Sequence, residues 1–161
     1  MRGNVETRLT KLERGDYDAI VLAVAGLTRL GLARHIRAHL PADEMLPAPG
    51  QGALGIECLA DRNEVLELLK PLGDSTTAAC VRAERTVSRA LGGSCTIPLA
   101  AYAEAKGGKM SLRALVASPD GRRVAQSQKE GAVADPEALG AQVAEELRSR
   151  GAADILSSLG K

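Results

Sequence analysis

Residues 99–121, LAAYAEAKGGKMSLRALVASPDG, predict two antiparallel strands joined by a tight hairpin. Apolar residues alternate with other residues along each strand, which places one face of the pair against a core. Gly107-Gly108 is a two-residue hairpin signal, and Ser118-Pro119-Asp120-Gly121 carries proline at the second position of a type I turn. A weaker strand is predicted around Val124. The alternating residues are Ile97, Leu99, Ala101 and Ala103 before the glycines and Met110, Leu112, Ala114 and Val116 after them.

Helical patterns flank this predicted sheet. Asp74 or Ser75 can cap a long helix, and Asp135-Pro136-Glu137 supplies an N-cap, a first-turn proline and an acidic side chain for another. A short last helix is predicted from about Ala152 to Leu159. Residues 74–161 therefore predict an α+β unit, a three-stranded antiparallel sheet with helices on one face. The apolar stripes of the two longer helices are Cys80, Ala83, Val87, Ala90 and Leu91, and Leu139, Val143 and Leu147.

The N-terminal part predicts a different fold class. Asn4 is a suitable N-cap for a helix that Gly15 ends. Residues 18–25, DAIVLAVA, are nearly all apolar and predict a strand buried on both faces, as in a parallel sheet. Another helical piece follows, so helix, strand and helix predict part of an α/β domain.

Residues 46–52, LPAPGQG, are rich in proline and glycine and predict a domain boundary or hinge. A short strand is predicted over 53–58, and a short helix over 63–72.

The bulk composition excludes several classes of function. The 161 residues are 45% apolar and 25% charged, with a net charge of +1, so no overall charge draws the chain to nucleic acid or to an anionic membrane. Two tyrosines are its only aromatic residues, which disfavours a binder of single-stranded nucleic acid. Cys58, Cys80 and Cys95 form no C-x-x-C pair, which favours reduced thiols in the cytosol and disfavours a zinc site.

Several arginines are candidate anion ligands. Arg2 and Arg8 bracket Asn4 at a helix start, where free backbone N–H groups and the helix dipole favour an anion. Arg29 follows the predicted strand, on the side where α/β sheets bind ligands. Such arginines suggest a small, multiply charged substrate, and the alternative is that they are ordinary solvated side chains.

Cys95, in the small-residue loop LGGSCTIP, leaves three interpretations open. It is a buried structural thiol, a nucleophile that requires a histidine base, or an attachment point for a bulky group, for which Gly92, Gly93 and Ser94 provide room. His35 and His39 fall in another predicted unit, which disfavours the nucleophile.

Two further groups of candidates remain. We expect Cys58 and Cys80 to pack in cores, on a strand and on a helix stripe respectively. For Glu84, Arg85 and Arg89, on the helix that leads to Cys95, a solvated helix face and a functional role are both open.

Five segments occur in one order along the chain: RGNVETRL, DAIVLAVAGLTRLGL, LPAPGQGALGIEC, AERTVSRALGGSCTIP and LRALVASPDG. Together they resemble the hydroxymethylbilane synthase (porphobilinogen deaminase) family of haem and tetrapyrrole biosynthesis. The resemblance runs from Arg2 almost to the C-terminus. It implies a cytoplasmic transferase, typically monomeric, that joins four porphobilinogen molecules head to tail with loss of ammonia and then hydrolyses off the linear tetrapyrrole.

The resemblance also implies three domains, the first two built like the lobes of a periplasmic binding protein. Residues 1–47 would be the latter part of the second domain, 48–73 a hinge and a segment returning to the first, and 74–161 the cofactor-attachment domain. A dipyrromethane cofactor would be thioether-linked to Cys95. The implied cofactor-binding residues are Cys95, Arg2, Arg8, Gly93 and Ser94, and the implied substrate-binding residues are Arg29 and Arg85.

Two departures from the family pattern matter. Many relatives have glycine and glutamine on either side of the cysteine, where this chain has Ser94 and Thr96. Relatives also carry, before the RGNV motif, a stretch comparable in size to this whole chain, which holds the catalytic aspartate. The expectation is therefore a truncated or split form with no catalytic residue of its own, inactive without a complementing N-terminal chain. The alternative is a non-catalytic remnant that binds tetrapyrroles or other anions.

Overall fold

The computed structural model describes residues 2–93 and 97–160, so Ser94, Cys95 and Thr96 lie outside the described residues. The chain forms two compact units, Met1–Pro41 and Ala42–Lys161. Within the described ranges, no helix is both long and apolar enough to cross a bilayer.

The α-helices are α1 (Val5–Glu13), α2 (Val24–Arg29), α3 (Asn63–Leu69), α4 (Ser75–Ala90), α5 (Pro136–Ser149) and α6 (Ala152–Ser157), and the strands are β1 (Leu99–Lys106), β2 (Lys109–Ala117) and β3 (Val124–Ala132). Short 3₁₀ turns cover Ala33–His35, Lys70–Leu72 and Ser158–Gly160.

The helix start predicted at Asn4 is confirmed. The Asn4 side chain accepts a hydrogen bond of 2.8 Å from the Thr7 backbone N–H, as an N-cap does. Gly15 ends the helix in the left-handed conformation, at φ +77°, and the N–H of Asp16 donates to the Lys11 carbonyl. Together with the hydrogen bond from the Gly15 N–H to the Leu12 carbonyl, this bond forms a Schellman motif, which satisfies carbonyls that the last turn leaves unpaired.

The strand predicted over residues 18–25 is wrong. These residues join no β-ladder, and α2 already begins at Val24. Val21, expected to be buried, is 61% exposed. A strand needs a neighbour to pair its backbone N–H and C=O groups, and the described part of Met1–Pro41 contains no other strand. A parallel α/β sheet is therefore not formed in this unit.

The short strand predicted over residues 53–58 is also wrong. These residues form no ladder, and Leu54 is 85% exposed. Cys58 is exposed, so the expectation that it packs in a core fails with the strand that was to bury it. The helix predicted next is confirmed as α3, followed by the 3₁₀ turn Lys70–Leu72.

The predicted antiparallel sheet is confirmed in order β1-β2-β3. Gly107 and Gly108 have φ of +59° and +79°, the positive values that a type I′ hairpin requires at both positions. The Gly121 N–H donates to the Ser118 carbonyl at 2.8 Å, which closes the predicted turn between β2 and β3. In the register, Ala101 faces Ala114 and Ala114 faces Ser127, so the buried residues share one face of the sheet.

Helices α4, α5 and α6 pack their apolar stripes on that face. The expected stripe residues Ala83, Val87, Val143 and Leu147 are fully buried, and Cys80 and Ala90 pack at the edge of the same core. The α+β architecture predicted for the C-terminal residues is therefore confirmed. The largest fully buried side chains include Met110, Leu112, Val116, Val87, Val143 and Leu147.

Helices α4 and α5 cross closely at Gly140. A Cβ atom on Gly140 would lie 2.6 Å from the Ala83 carbonyl oxygen and 2.7 Å from the Thr86 Cβ. Glycine is therefore required in the middle of a helix, where it costs about 1 kcal/mol relative to alanine. The close crossing is what brings both helices down onto the sheet.

We predict that Gly140→Ala destabilises the protein by up to about 2 kcal/mol. Overpacking costs about 1–3 kcal/mol, and because the contacted atom is a backbone carbonyl that cannot rotate away, the cost exceeds the gain of about 1 kcal/mol in helix propensity. Urea unfolding measures the difference. Ala141→Gly, on the exposed face of α5, measures the propensity term separately. A stabilised Gly140→Ala protein would contradict the close crossing.

Glu146 of α5 ties the helix to strand β3. Its carboxylate accepts from Ser127 Oγ at 3.1 Å, lies 2.9 Å from Lys129 Nζ, and lies 2.5 Å from Arg150 Nη2 in the following turn. The hydrogen bond from Lys129, followed by that from Ser127, lowers the pKa of Glu146 below its ordinary value.

A carboxyl group with a lowered pKa stabilises the fold above its ordinary pKa of about 4.3 and loses that contribution as the pH falls through the lower folded value. We therefore expect Glu146→Gln to be less stable than wild type at pH 7, with the difference shrinking below about pH 4. Urea unfolding at pH 7 and pH 3 tests this. Glu145→Gln, which removes only an exposed pair with Arg148, is the control, and an equal effect of both variants at pH 7 would refute the role of Glu146.

Candidate cofactor cleft

A cleft of about 900 Å³ opens in the unit Ala42–Lys161. One wall is residues 48–55, which we name the connector wall, and the other is the face of α4 that points away from the core. The lining on α4 includes Thr77, Val81, Arg85 and Ser88, spaced so that they share one helix face. Gly93 and Ile97, which flank the undescribed residues 94–96 in sequence, both line the cleft.

The start of α4 is fixed as the sequence predicts. Asp74 is the N-cap, and its side chain accepts from the Thr77 N–H at 2.6 Å. This hydrogen bond is the main cause of the lowered pKa of Asp74. Because α4 buries Ala83 and Val87 in the core, its rotation is set, and Arg85 is directed to the cleft.

The connector wall begins with a type II turn. The Gln51 N–H donates to the Ala48 carbonyl at 3.0 Å, Pro49 occupies the second position, and Gly50 occupies the third at φ +73°. Proline at the second and glycine at the third position are the residues that this turn prefers. The sequence PAPG thus forms a defined turn at the start of the connector wall.

Glu84 is buried, so the interpretation that it lies on a solvated helix face is wrong. Only 6% exposed, it accepts from the Gly50 N–H at 2.7 Å through Oε2 and from the Ala103 N–H at 2.8 Å through Oε1. Burial raises the pKa of Glu84, and the two amide hydrogen bonds oppose that shift. A signal was available, because Glu84 lies four residues after Cys80 and three before Val87 on the apolar stripe.

Two of the predicted site residues, Arg85 and Gly93, therefore meet in one cleft. Arg85 is exposed toward it, and Gly93, at φ +54°, donates its N–H to the Ser88 carbonyl at 2.8 Å and so turns the chain away from α4. The predicted residues Ser94 and Cys95 lie outside the described residues.

The other predicted arginines lie in the unit Met1–Pro41. The Arg8 Nε donates to the Gly3 carbonyl at 2.8 Å, which folds this side chain back over the start of α1. Arg2 is exposed, and the Lys11 Nζ lies 3.4 Å from its carbonyl oxygen. Arg29 is in the last turn of α2 and does not follow a strand, so its placement at the edge of a parallel sheet is wrong. A cation suits that turn because the helix C-terminus is negative.

The described cysteines are poor attachment points. Neither Cys58 nor Cys80 lines the cleft. Burial, and to a lesser degree the Glu84 charge, raise the pKa of the Cys80 thiol, which keeps it in the unreactive protonated form at neutral pH. The expectation that Cys80 packs in the core is confirmed.

The cleft fits a small aromatic polycarboxylate. Its volume falls within the roughly 300–1,000 Å³ of ligand pockets. Val81, Ile97 and Leu99 offer apolar surface for flat rings, and the Arg85 guanidinium offers a bidentate donor for a carboxylate. The dipyrromethane cofactor that the resemblance implies has both features, because its two pyrrole rings carry carboxylate side chains.

Two protein-family models match the chain. Residues 1–67 match the porphobilinogen deaminase dipyrromethane cofactor-binding domain, and residues 78–149 match the porphobilinogen deaminase C-terminal domain. Curated proteins named porphobilinogen deaminase are similar over 99% of this chain: that of Bordetella parapertussis at 57% identity, that of Ralstonia nicotianae at 56% and that of Thiobacillus denitrificans at 52%. The chain covers 51%, 49% and 52% of these relatives respectively, so it spans about half their length.

In chain order, a cofactor-binding domain model and a C-terminal domain model of one family thus cover most of the chain. The chain belongs to the porphobilinogen deaminase family.

Proposed function

We propose that this chain forms the cofactor-carrying part of a hydroxymethylbilane synthase, a cytoplasmic transferase of haem and tetrapyrrole biosynthesis. The whole enzyme would join four porphobilinogen units head to tail with loss of ammonia and hydrolyse the product to hydroxymethylbilane. The observation that carries the proposal is the cleft in which Arg85 meets Gly93 and Ile97, the described residues on either side of the Cys95 segment.

Each residue has a distinct role in this proposal. The Cys95 sulfur holds the cofactor through a thioether bond, and the small neighbours Gly93 and Ser94 leave room for it. A bound dipyrromethane supplies the free pyrrole position at which the product chain grows. Arg85 binds a carboxylate of the cofactor or substrate. We assign no catalytic residue to this chain.

The proposal divides cofactor binding between two segments. The family model described as cofactor-binding covers residues 1–67, which include Arg2, Arg8 and Arg29 but not Cys95. We infer that these arginines bind carboxylates, Arg2 and Arg8 on the cofactor and Arg29 on the substrate, while Cys95 in the C-terminal domain is the tether.

We propose the domain limits 1–47, 48–73 and 74–161, with residues 1–47 belonging to a lobe like that of a periplasmic binding protein. Residues 48–73 would return to a further domain of the whole enzyme. Their exposed apolar side chains support this, since such surface is normally covered by another element. The most exposed are Leu54, Ile56, Leu59, Leu68 and Leu72.

The attachment site is tested by the intact mass of the purified chain before and after incubation with hydroxymethylbilane, alone and with the N-terminal portion of the Bordetella relative. We expect an adduct with the mass of hydroxymethylbilane less one water, formed when the Cys95 thiol displaces the hydroxyl of its hydroxymethyl group, on wild type and on Cys58→Ser, and none on Cys95→Ser. Cys58→Ser is the matched control because Cys58 is an exposed thiol outside the cleft.

Loss of the adduct in Cys58→Ser would contradict the attachment proposal. So would the absence of an adduct on every protein, both alone and with the added N-terminal portion. Adduct formation without porphobilinogen turnover, even when the N-terminal portion is added, would favour a non-catalytic tetrapyrrole-binding remnant over an enzyme part.

The role of Arg85 is tested against Arg89, one turn further along α4. Both side chains are exposed, but Arg89 does not line the cleft. A hydrogen bond to a charged group contributes about 1.5–3 kcal/mol, so we expect Arg85→Ala to slow adduct formation at subsaturating hydroxymethylbilane by roughly 10- to 100-fold. Arg89→Ala should leave the rate within about twofold of wild type. Equal rates for the two variants would show that the cleft does not bind the carboxylates.

A further inference from the structure

Glu84 joins three parts of the unit Ala42–Lys161 through one buried carboxylate. The side chain starts from α4, Oε1 binds the Ala103 N–H of β1, and Oε2 binds the Gly50 N–H of the connector wall. These donors are 19 and 34 residues away in sequence. A buried charge is retained only where it is well hydrogen-bonded, so the position of Gly50 and the burial of Glu84 depend on each other.

The bond to Gly50 is a fixed point close to the cleft. Gly50 is the third residue of the type II turn, and it lines the cleft together with Val81 and Arg85 of α4. The chain just before the connector wall is held independently. The Ala101 N–H donates to the Pro47 carbonyl at 3.1 Å, and Asp43 pairs with Arg113. Downstream, residues 54–59 are exposed, and among the described side chains Glu84 is the one that hydrogen-bonds the wall to α4.

We propose that Glu84 is a positioning residue for the cofactor cleft: by holding Gly50 against α4, its carboxylate sets the distance between the two walls that enclose a ligand bound by Arg85. This inference rests on the proposed function. Glu84 touches no ligand itself, and it acts through Gly50 and the connector wall.

Glu84→Gln separates this role from a general structural one. A glutamine side chain has the same shape but offers one acceptor oxygen, and its NH₂ group would face an N–H donor at the other site. The bond to Ala103 is buried and the bond to Gly50 is partly exposed. Because an unpaired group costs most where water cannot reach it, the glutamine oxygen should stay on Ala103 and release Gly50.

The first measurement is amide hydrogen exchange of the 161-residue chain by NMR. The Gly50 amide should be protected in wild type and exchange about tenfold faster in Glu84→Gln, as expected for the loss of one hydrogen bond. The Ala103 amide should keep its protection. Glu146→Gln, which alters a multiply bonded carboxylate outside the cleft lining, is the matched control and should leave Gly50 unchanged. A wild-type Gly50 amide that exchanges like an exposed glycine would overturn the proposal without any variant.

The second measurement is the initial rate of adduct formation at Cys95 against hydroxymethylbilane concentration, using the preparation in which wild type forms the adduct. In Glu84→Gln we expect the half-saturating concentration to rise about tenfold with the maximal rate within about twofold, because wall position affects binding more than the thiol. An unchanged half-saturating concentration with a released Gly50 would refute the positioning role while the proposed function stands. Absence of any adduct on wild type would overturn the proposed function and, with it, this inference.

Discussion

The packing of α4 and α5 on one face of the three-stranded sheet determines the rest of the C-terminal unit. Gly140 permits the two helices to cross within van der Waals distance, and this contact lets both bury apolar stripes on the same strands. Since Ala83 and Val87 must face that core, the opposite face of α4 is fixed in direction. The cleft and the placement of Arg85 are therefore consequences of core packing, and the candidate site requires no separate scaffold.

The parts of the fold that depend on local chemistry could be predicted from the sequence. Alternation along β1 and β2, two glycines at the hairpin and Pro119 in the next turn each act within a few residues, and all were confirmed. The strands predicted at 18–25 and 53–58 are wrong because they depend on more than local chemistry. An apolar run is compatible with a strand, but it becomes one only when a partner supplies hydrogen bonds, and the described residues of these regions pair with none.

The candidate site shows the same division. Arg85 and Gly93 were predicted because a motif marks them, and the cleft brings them together. A solvated position was one interpretation of Glu84, because charged residues on a helix are usually exposed. Its burial depends on the Gly50 and Ala103 amides, which are remote in sequence and come together only in the folded unit. A glutamate on an apolar stripe is a signal of this kind of bond, but the sequence does not identify the donors.

Charge balance explains why the cleft cannot be the whole binding site under the proposed function. Among its described lining residues, the charged side chains are Arg85 and Asp74, so the net charge of that lining is zero. Asp74 is committed to capping α4 and cannot be exchanged for a cation without losing the cap. A cofactor that gains carboxylates as its chain lengthens needs more positive charge than one guanidinium provides. The proposed function therefore requires positive charge beyond this lining, and the family model described as cofactor-binding covers residues 1–67, in which Arg2, Arg8 and Arg29 lie.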